Sequence, residues 1–277
     1  MSDILKFLYN TSIGRGILKI LTSPAISKIG GVYMDSPISK IHIDGFIKNN
    51  NIDMAEYEKQ EYSCFNDFFT RKIKAEERPF NPDSDVLISP SDGLLSAYKI
   101  SENSDFYIKR SHYRIQDLLK GSKYAPDYQG GTCLVFRLCV DNYHRYHYVD
   151  NGRILENKAI DGILHTVRPI AVNQHPVFIQ NSREYTVIST ENFKTVSQIE
   201  VGALMIGKIK NHHKKGTVIK GAEKGMFLYG GSTIVLLLEK DTVNIPEIYI
   251  NNTRKGIETK VKCGMEIGTS VRYNHKV

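Results

Sequence analysis

The most constraining feature of this chain is a run of five aliphatic residues, Ile234–Leu238, that directly follows Gly230-Gly231-Ser232-Thr233. An uninterrupted apolar run of this length is typical of a buried strand. The two glycines allow backbone conformations that other residues avoid, and they let another group approach closely. Ser232 is therefore predicted to lie where a flexible turn enters a core strand. Taken alone, this pattern is more typical of an ordinary tight turn than of a functional one.

Length and charge set broad limits on the kind of protein. The chain has 277 residues, enough for one large domain or two small ones, and 41% hydrophobic with 24% charged residues indicates a globular protein. Its formal net charge of +7 suits an anionic partner, which is either nucleic acid or an acidic membrane surface. No basic stripe interleaved with aromatic residues is present, so the sequence argues against nucleic acid.

The cysteines show neither a CxxC pair nor the spacing of metal ligands, so the sequence predicts no metal site. Reduced core thiols in a reducing compartment are the simplest interpretation. The N-terminus lacks a secretory signal, and no run of eighteen uncharged apolar residues predicts a membrane span. The four cysteines are Cys64, Cys133, Cys139 and Cys263.

The first sixty residues read as short amphipathic helices. Ile13, Ile17, Ile20 and Leu21 follow the spacing of one helical face, while the basic residues Arg15 and Lys19 take other positions. Gly14, Gly16 and Pro24 are predicted to divide the region into short helices. The helices either pack on the protein's own core or form a basic amphipathic element that lies on a membrane. The residues alone leave both interpretations open.

Farther along, helical signals give way to strands. Ser63 is a plausible N-cap for a helix that carries Phe65, Phe68 and Phe69 on one face. From Thr132 onward the pattern is mainly β, and the tail over 251–277 is predicted to form one or two edge strands. The fold class predicted is therefore α+β, with a mainly antiparallel, sandwich-like or barrel-like β core. The strand candidates are 86–89, 133–140, 185–189, 195–209, 217–220 and 233–239.

Three separate motifs hold the residues of an activated nucleophile. Asp92 lies in a Pro-Ser-Asp-Gly turn, His144 and His147 lie in Tyr-His-Arg-Tyr-His, and Ser232 follows the two glycines. Carboxylate, imidazole and hydroxyl are the orienting group, the base and the nucleophile of such a system. Asp is also common in ordinary turns. A separation of three places the two histidines on opposite faces of a strand, whereas a tight turn lets them converge, so spacing does not decide.

These motifs with their flanks resemble the phosphatidylserine decarboxylases, which are self-processing enzymes of the pyruvoyl class. The likeness runs from about Tyr62 to Glu239 and has several ordered motifs. It departs from the family pattern at Gly230, where many members have Leu or Val, and at Asn142, where Asp is expected. The further motifs that carry it are Phe-Asn-Asp-Phe-Phe-Thr-Arg over 65–71, Val-Gly-Ala-Leu-Met-Ile-Gly over 201–207, and Lys220-Gly221.

The resemblance implies decarboxylation of phosphatidylserine to phosphatidylethanolamine and CO2 through a Schiff base with a self-generated pyruvoyl group. That cofactor would derive from Ser232 after autocatalytic cleavage of a proenzyme between Gly231 and Ser232. The products would be a large chain, 1–231, and a small chain, 232–277. The roles implied are processing base for His147, orienting carboxylate for Asp92, decarboxylation pocket for His144, and substrate binding for Tyr143 and Arg183.

The resemblance also implies an organisation and partners. Residues 1–60 would be a helical, membrane-associating region and residues 61–277 a catalytic domain. The expected partners are phosphatidylserine in an anionic phospholipid membrane and the two chains of one precursor, and a homodimer is among the assemblies allowed. The expected location is peripheral, on the cytoplasmic side of the cell membrane.

Three other functions fit parts of the sequence. A pyruvoyl decarboxylase of a soluble amino acid would share the chemistry, but the basic amphipathic N-terminus argues against it. A non-catalytic membrane-binding relative would keep the same fold. The presence of all three of Asp92, His147 and Ser232 argues against it, because an inactive relative is expected to have lost one of them. A serine hydrolase could use the same three residue types, but the chain lacks a Gly-x-Ser-x-Gly elbow at Ser232.

Overall fold

A computed structural model describes residues 2–108, 111–172, 175–203, 208–229 and 232–271. The predicted cleavage residue Gly231, its neighbour Gly230, part of the 201–207 motif and the end of the tail lie outside those ranges. The α-helices described are α1 Ser2–Asn10, α2 Ser12–Leu21, α3 Pro24–Met34, α4 Ile43–Asn50, α5 Phe65–Phe69, α6 Ile115–Leu118, α7 Pro169–Val172, α8 Val177–Gln180 and α9 Glu247–Arg254.

The strands fall into one large sheet and three small ones. The first eight strands are β1 Val86–Ile88, β2 Gly93–Lys99, β3 Asp105–Ile108, β4 Ser111–Arg114, β5 Thr132–Leu138, β6 Arg145–His147, β7 Gly152–Ile160 and β8 Arg183–Thr190. The others are β9 Thr195–Gly202, β10 Ile209–Asn211, β11 Gly216–Val218, β12 Glu223–Phe227, β13 Ser232–Leu238, β14 Val243–Asn244, β15 Thr259–Val261 and β16 Glu266–Ser270.

The large sheet places β13 near its middle. Its order is β11-β7-β8-β9-β13-β5-β2-β15, and every pairing in it is antiparallel. The order is linear, so within the described part of the chain this sheet does not close into a barrel. The α+β prediction and the mainly antiparallel core are confirmed, and the barrel-like variant is not what forms.

The strand β13 is apolar from Ile234 to Leu238 because both faces of the sheet are covered. Val235 and Leu237 belong to one core, which α1, α2, α6, α7 and α8 help to fill. Ile234, Leu236 and Leu238 belong to the opposite core, to which β1, β6, β12, β16 and α9 contribute. A strand buried on both faces reads as a continuous hydrophobic run instead of an alternating one. The strand predicted at 233–239 is therefore confirmed to within one residue.

Two glycines expected to interrupt the N-terminal helices do not do so. Gly14 and Gly16 both lie inside α2. A Cβ atom on Gly14 would come within 2.0 Å of the Phe7 carbonyl oxygen, so this glycine permits the end of α1 to touch α2. Pro24 begins α3, where a missing backbone N–H costs no helical hydrogen bond. The prediction that these glycines divide the region was wrong: Gly14 is required for helix packing, and Gly16 has open space around it and is accommodated within the helix.

The two faces of the N-terminal helices have different surroundings. Leu8, Tyr9 and Leu18 are buried in the main core, as the packing interpretation predicted. Ile13 and Ile20 are 74% and 62% exposed, whereas Leu21 is half-buried against that core. Eleven of the nineteen exposed large apolar side chains in the described residues lie within residues 4–41. An exposed apolar surface of this kind is unusual for a free monomer and marks an interaction surface.

Three local predictions need correction. The N-cap of α5 is Cys64, whose Sγ accepts the Asp67 N–H, while Ser63 donates to the Asp67 carboxylate. The strand predicted to run to residue 209 ends at Gly202. The tail begins within the helix α9 and continues with two short strands, of which β15 is an edge strand and β16 lies in the middle of a three-stranded sheet. No helix within the described ranges is both long and apolar enough to cross a membrane.

Candidate functional site

Ser232 occupies the first position of β13 and is completely buried. It lies opposite Leu138 of β5 and Gly202 of β9. Its Oγ has no hydrogen-bond partner among the described residues. A buried hydroxyl left in this way costs about 1–3 kcal/mol, so a native fold rarely keeps one without a reason. The predicted nucleophile is therefore a buried polar group for which a function would account.

His147 ends β6 and is held there by its own backbone. Its N–H donates to the Pro90 carbonyl at 2.8 Å. The ring Nδ1 lies 3.1 Å from the Cys263 Sγ, and no described residue bonds to Nε2. The ring lines a cavity of about 470 Å³. One ring nitrogen of His147 is thus occupied by a thiol, and the other is available.

The same cavity brings several predicted and unpredicted residues together. Tyr143 lines it, and its ring centroid is 6.2 Å from that of His147. Arg78 and Cys263 line it as well. Tyr143 is therefore placed beside the predicted base, and its role in substrate binding stays a prediction.

Asp92 lies in this neighbourhood but is bonded to other groups. Arg78 donates to both carboxylate oxygens, from Nε at 2.8 Å and from Nη2 at 2.7 Å. The Cys263 backbone N–H donates to Oδ1 at 2.8 Å. No hydrogen bond joins Asp92 to His147 among the described residues. The expected direct contact between the Asp92 carboxylate and the His147 imidazole is absent from the described residues. Cys263 lies between the two side chains and contacts both.

Burial is the largest influence on His147, and it lowers the pKa of the ring below its ordinary value. Glu223, Asp92 and the Pro90 carbonyl oppose this shift by favouring the cation, while Arg145 adds to it. A neutral imidazole at physiological pH can accept a proton, as a general base must. The electrostatics of the site therefore suit the role predicted for His147.

His144 is completely buried and neutral. Its Nδ1–H donates to the Asn142 carbonyl at 2.8 Å, so its lone pair is on Nε2, which has no partner among the described residues. Burial, with the nearby Arg71 cation, lowers the pKa of His144 to about 3. The Phe69 ring covers it at a centroid distance of 4.1 Å. The arrangement presents one unprotonated nitrogen in a dry environment.

His144 lies beside the segment that leads to Ser232. The Phe227 N–H donates to the His144 carbonyl at 2.9 Å. Tyr229 packs against Phe69 at a centroid distance of 5.2 Å, and its N–H donates to the Asn66 side chain. The two histidines therefore have separate environments, which their spacing could not decide.

Asn142, one of the departures from the family pattern, has a structural role. Its Oδ1 accepts the Cys139 N–H at 2.8 Å, which closes the turn after β5. A carboxylate oxygen at this position could accept the same hydrogen bond. The substitution therefore preserves the turn that carries His144.

Arg183 has all its described hydrogen bonds with backbone carbonyls. It is buried and donates to Leu118, Ile179, Asn181 and Asp117 at distances of 2.7–3.2 Å. A guanidinium engaged in this way supports the fold around α6 and α8 and has little capacity left for a carboxylate or phosphate. The geometry argues against the substrate-binding role expected for Arg183.

Two residues of the site were not predicted from the sequence. Arg78 precedes Pro79 in a stretch without a regular pattern, and Cys263 was interpreted only as a core thiol. Cys263 is separated from His147 by 116 positions. Only the paired backbones that carry Pro90 and Cys263 bring them together, so no local signal could have found either contact.

Comparison of the sequence with known proteins places this chain in a family. The sequence model of the phosphatidylserine decarboxylase family matches residues 65–269. Phosphatidylserine decarboxylase proenzyme 2 of Clostridium acetobutylicum is 48% identical over 95% of this chain and 91% of its own length. A phosphatidylserine decarboxylase proenzyme of Clostridium botulinum strain Kyoto is 40% identical over 96% of this chain and 92% of its own.

A third relative, the phosphatidylserine decarboxylase proenzyme of Clostridium perfringens strain SM101, is 40% identical over 95% of this chain and 92% of its own length. These matches cover the N-terminal helices as well as the β core. By sequence and by the motifs that build its site, this chain belongs to the phosphatidylserine decarboxylase family.

Proposed function

We propose that this protein is made as a precursor that cuts itself between Gly231 and Ser232 and then decarboxylates phosphatidylserine to phosphatidylethanolamine and CO2. The family membership supports the reaction and the precursor form. The structural observation that carries the proposal is the fully buried Ser232 hydroxyl at the start of a core strand, which has no hydrogen-bond partner within the described ranges.

Self-cleavage requires a base, a nucleophile and an adjacent carbonyl. In the proposal, His147 takes the proton of the Ser232 hydroxyl, and Oγ attacks the carbonyl carbon of Gly231. The Gly231–Ser232 peptide bond becomes an ester as the acyl group moves from nitrogen to oxygen. The neutral state of His147, maintained mainly by burial, supports this role.

The ester then breaks by β-elimination. Loss of the Ser232 α-proton releases residues 1–231 with a new C-terminal carboxylate and leaves a dehydroalanine on the small chain. Addition of water converts the dehydroalanine to a pyruvoyl group and ammonia. The chain thus supplies its own cofactor, and no redox partner is needed because no net oxidation occurs.

The residues around Ser232 fit such a cofactor. Ser232 is buried, and His144 Nε2, a second polar atom that no described residue pairs with, lies beside the segment that precedes Ser232. A pyruvoyl group supplies a ketone that accepts the electrons of the bond that loses CO2. His144 stays neutral over the physiological range, so its Nε2 can accept a hydrogen bond from a substrate N–H or O–H.

The proposed substrate keeps its acyl chains in a bilayer, so the enzyme must work at a membrane surface. The exposed apolar residues of the N-terminal helices support this, since Ile13, Ile17 and Ile20 point away from the core. Arg15 and Lys19 are exposed beside them and would attract anionic headgroups. We propose peripheral binding on the cytoplasmic side, which the four free cysteines also favour. The homodimer stays a prediction.

Intact mass spectrometry combined with a decarboxylation assay tests the proposal. The purified protein is expected to resolve into chains of residues 1–231 and 232–277, the second with a blocked N-terminus. The matched Ser232→Ala protein is expected to stay one chain and to release no CO2 from phosphatidylserine vesicles. A wild-type protein that remains intact after prolonged incubation contradicts the proposed processing. Release of CO2 from free serine at the lipid's rate contradicts the proposed substrate.

A further inference from the structure

The Cys263 thiol occupies the place beside His147 in which a carboxylate was expected. Its Sγ lies 3.1 Å from His147 Nδ1, and its backbone N–H donates to Asp92 Oδ1 at 2.8 Å. One residue therefore contacts both members of the predicted base–carboxylate pair. We infer that Cys263 is a positioning residue of self-cleavage, which holds His147 in the tautomer that leaves Nε2 free to accept a proton. This inference rests on the function proposed above.

The His147 ring and the Cys263 thiol have one proton each, and the positions of these two protons decide which ring nitrogen can act as a base. A neutral imidazole has one N–H and one lone pair, and the hydrogen bond at one nitrogen decides which is which. Burial raises the pKa of the Cys263 thiol, so the sulfur keeps its single proton. The Pro90 carbonyl, 3.6 Å from Sγ, accepts that proton's hydrogen bond. A sulfur lone pair then accepts the His147 Nδ1–H, and Nε2 is left as the base.

The opposite arrangement would defeat the proposed chemistry. If the thiol donated to Nδ1, the ring proton would have to be on Nε2. That nitrogen faces no described partner and would then be a donor, unable to take the proton of a hydroxyl. The thiol proton, which is directed to the Pro90 carbonyl, and that carbonyl, which itself favours a proton on the His147 ring, therefore act together on the tautomer of His147.

The backbone around the thiol fixes its position. Gly264 N–H donates to the Ser89 carbonyl at 2.9 Å, and Ser89 N–H donates to the Met265 carbonyl at 2.8 Å. Gly264 has a φ of +82°, which a residue with a side chain rarely adopts. These bonds tie the turn of Cys263 to the segment of Pro90. The sulfur, its carbonyl acceptor and the imidazole are thus held by paired backbone.

A thiol does different work from a carboxylate at this position. A carboxylate at Nδ1 orients the ring and also stabilises its cation. A neutral thiol orients the ring without adding charge, and the charge of Asp92 is already balanced by Arg78. Cys263 therefore supplies orientation, while Asp92 acts on His147 only through space and through the backbone of Cys263.

Cleavage rates of three variants provide the first test. Cys263→Ala is expected to slow self-cleavage about tenfold, which corresponds to about 1.4 kcal/mol of activation free energy. Cys263→Ser is expected to recover most of the rate, because a hydroxyl can also donate to one group and accept from another. The matched control is Cys133→Ala, which removes an equally buried sulfur that has no hydrogen bond among the described residues.

The control separates positioning from packing. Both alanine variants leave a cavity of the same chemical origin, so a general loss of core packing would slow them equally. Equal cleavage rates for Cys263→Ala and Cys133→Ala, whether both are slowed or both match the wild type, would overturn the inference. If Cys263→Ala does not fold, the serine variant and the measurement below decide the matter.

The second test reads the tautomer directly and does not depend on cleavage. Long-range ¹H–¹⁵N spectra of ¹⁵N-histidine-labelled Ser232→Ala precursor are expected to show His147 as the Nδ1–H tautomer. The Ser232→Ala/Cys263→Ala precursor is expected to show a mixture of both tautomers. An Nε2–H tautomer in the Ser232→Ala precursor would overturn the inference. A wild type that does not cleave would instead remove the proposed function and leave the tautomer result valid.

Discussion

The Arg78 guanidinium binds both oxygens of the Asp92 carboxylate, with donor–acceptor distances of 2.8 and 2.7 Å. Both side chains are over 90% buried, and Arg78 also donates to Glu56 at 3.0 Å. A two-point contact of this kind fixes orientation as well as distance. It sets the position of Asp92, which accepts a hydrogen bond from the Cys263 backbone. Because the Cys263 side chain contacts His147, Arg78 indirectly stabilises the position of the His147 ring.

Arg78→Ala is expected to destabilise the precursor by about 3–5 kcal/mol, because it leaves the Asp92 charge buried without its partner. Urea unfolding at neutral pH measures this. The Arg78→Ala/Asp92→Ala pair is expected to lose less than the sum of the two single variants, since the double variant leaves no unpaired charge. Strict additivity would contradict the view that the ion pair acts as one unit.

The processing residues are expected to differ in severity. Ser232→Ala should abolish self-cleavage, because no other atom can take the place of Oγ. His147→Ala should slow it by about 10²–10⁴-fold, the usual contribution of a general base. Asp92→Asn should be the mildest, since it weakens the Arg78 contact without removing the imidazole. Quantitative electrophoresis of the two chains over time gives all three rates, and normal processing of His147→Ala would exclude that residue as the base.

His144 is expected to make the precursor sensitive to mild acid. In the unfolded chain its pKa is near 6.5, whereas burial lowers the folded value to about 3. Between these two pKa values the unfolded state binds a proton at His144 and the folded state does not. The free energy of unfolding therefore falls as pH drops from about 6.5 toward 3. Well below 6.5, this residue contributes about 1.4 kcal/mol of lost stability per pH unit.

His144→Gln provides the comparison for this prediction. Urea unfolding of Ser232→Ala and Ser232→Ala/His144→Gln precursors at several pH values between 5 and 7.5 gives the difference in slope. In the variant, the slope of the unfolding free energy against pH is expected to decrease by the contribution of about one proton. His147 and His165, whose pKa values are also lowered, account for the slope that remains. Identical slopes would show that His144 titrates normally in the folded protein.

Membrane binding is expected to depend on exposed positions of α2. Ile13→Gln/Ile20→Gln should weaken binding to phosphatidylserine-containing vesicles about 30-fold, because insertion of each side chain contributes on the order of 1 kcal/mol. Self-cleavage should be unchanged, since both positions are exposed. The matched control is Ile219→Gln/Ile248→Gln, two exposed isoleucines outside the N-terminal helices. Vesicle sedimentation at low and high salt measures binding, and equal losses in both pairs would contradict a specific surface.

Point substitutions are the sharper test of this surface than truncation. Tyr9 is buried, and its hydroxyl contacts His165 Nδ1 at 3.1 Å while accepting the Thr166 N–H at 3.3 Å. Removal of the first helices would therefore open the main core as well as remove the membrane-facing residues. Loss of vesicle activity in such a deletion could not be assigned to either cause.

Prediction from the sequence succeeded where one interaction dominated. The strand at Ser232–Leu238 was predictable because an aliphatic run between two cores allows little else. The α9 helix was not, since Glu-Ile-Tyr-Ile-Asn-Asn-Thr-Arg has weak helical propensity and depends on tertiary contacts. Tyr249 is buried there, and the Thr253 hydroxyl accepts the Ala97 N–H.

The site was predictable in its residue types and not in its connections. Asp92, His147 and Ser232 could be proposed from the sequence because each lies in a distinctive short motif, and their roles stay predictions. The contact of Cys263 with His147 depends on how β15 pairs with β2, which places the following turn beside Pro90. Register between distant strands is set by the whole core, so a thiol that replaces an expected carboxylate contact leaves no local pattern.

The position of β13 has a consequence for the lifetime of the mature enzyme. Its seven residues pair with β5 on one side and β9 on the other, and both neighbours belong to residues 1–231. The sheet is assembled while the strand is still tethered to them, and the tether supplies a high effective concentration that vanishes after the cut. We expect the precursor to refold after denaturation and the cut protein not to. Once the cut enzyme unfolds, it would then be lost for good, and its activity could return only through synthesis of new precursor.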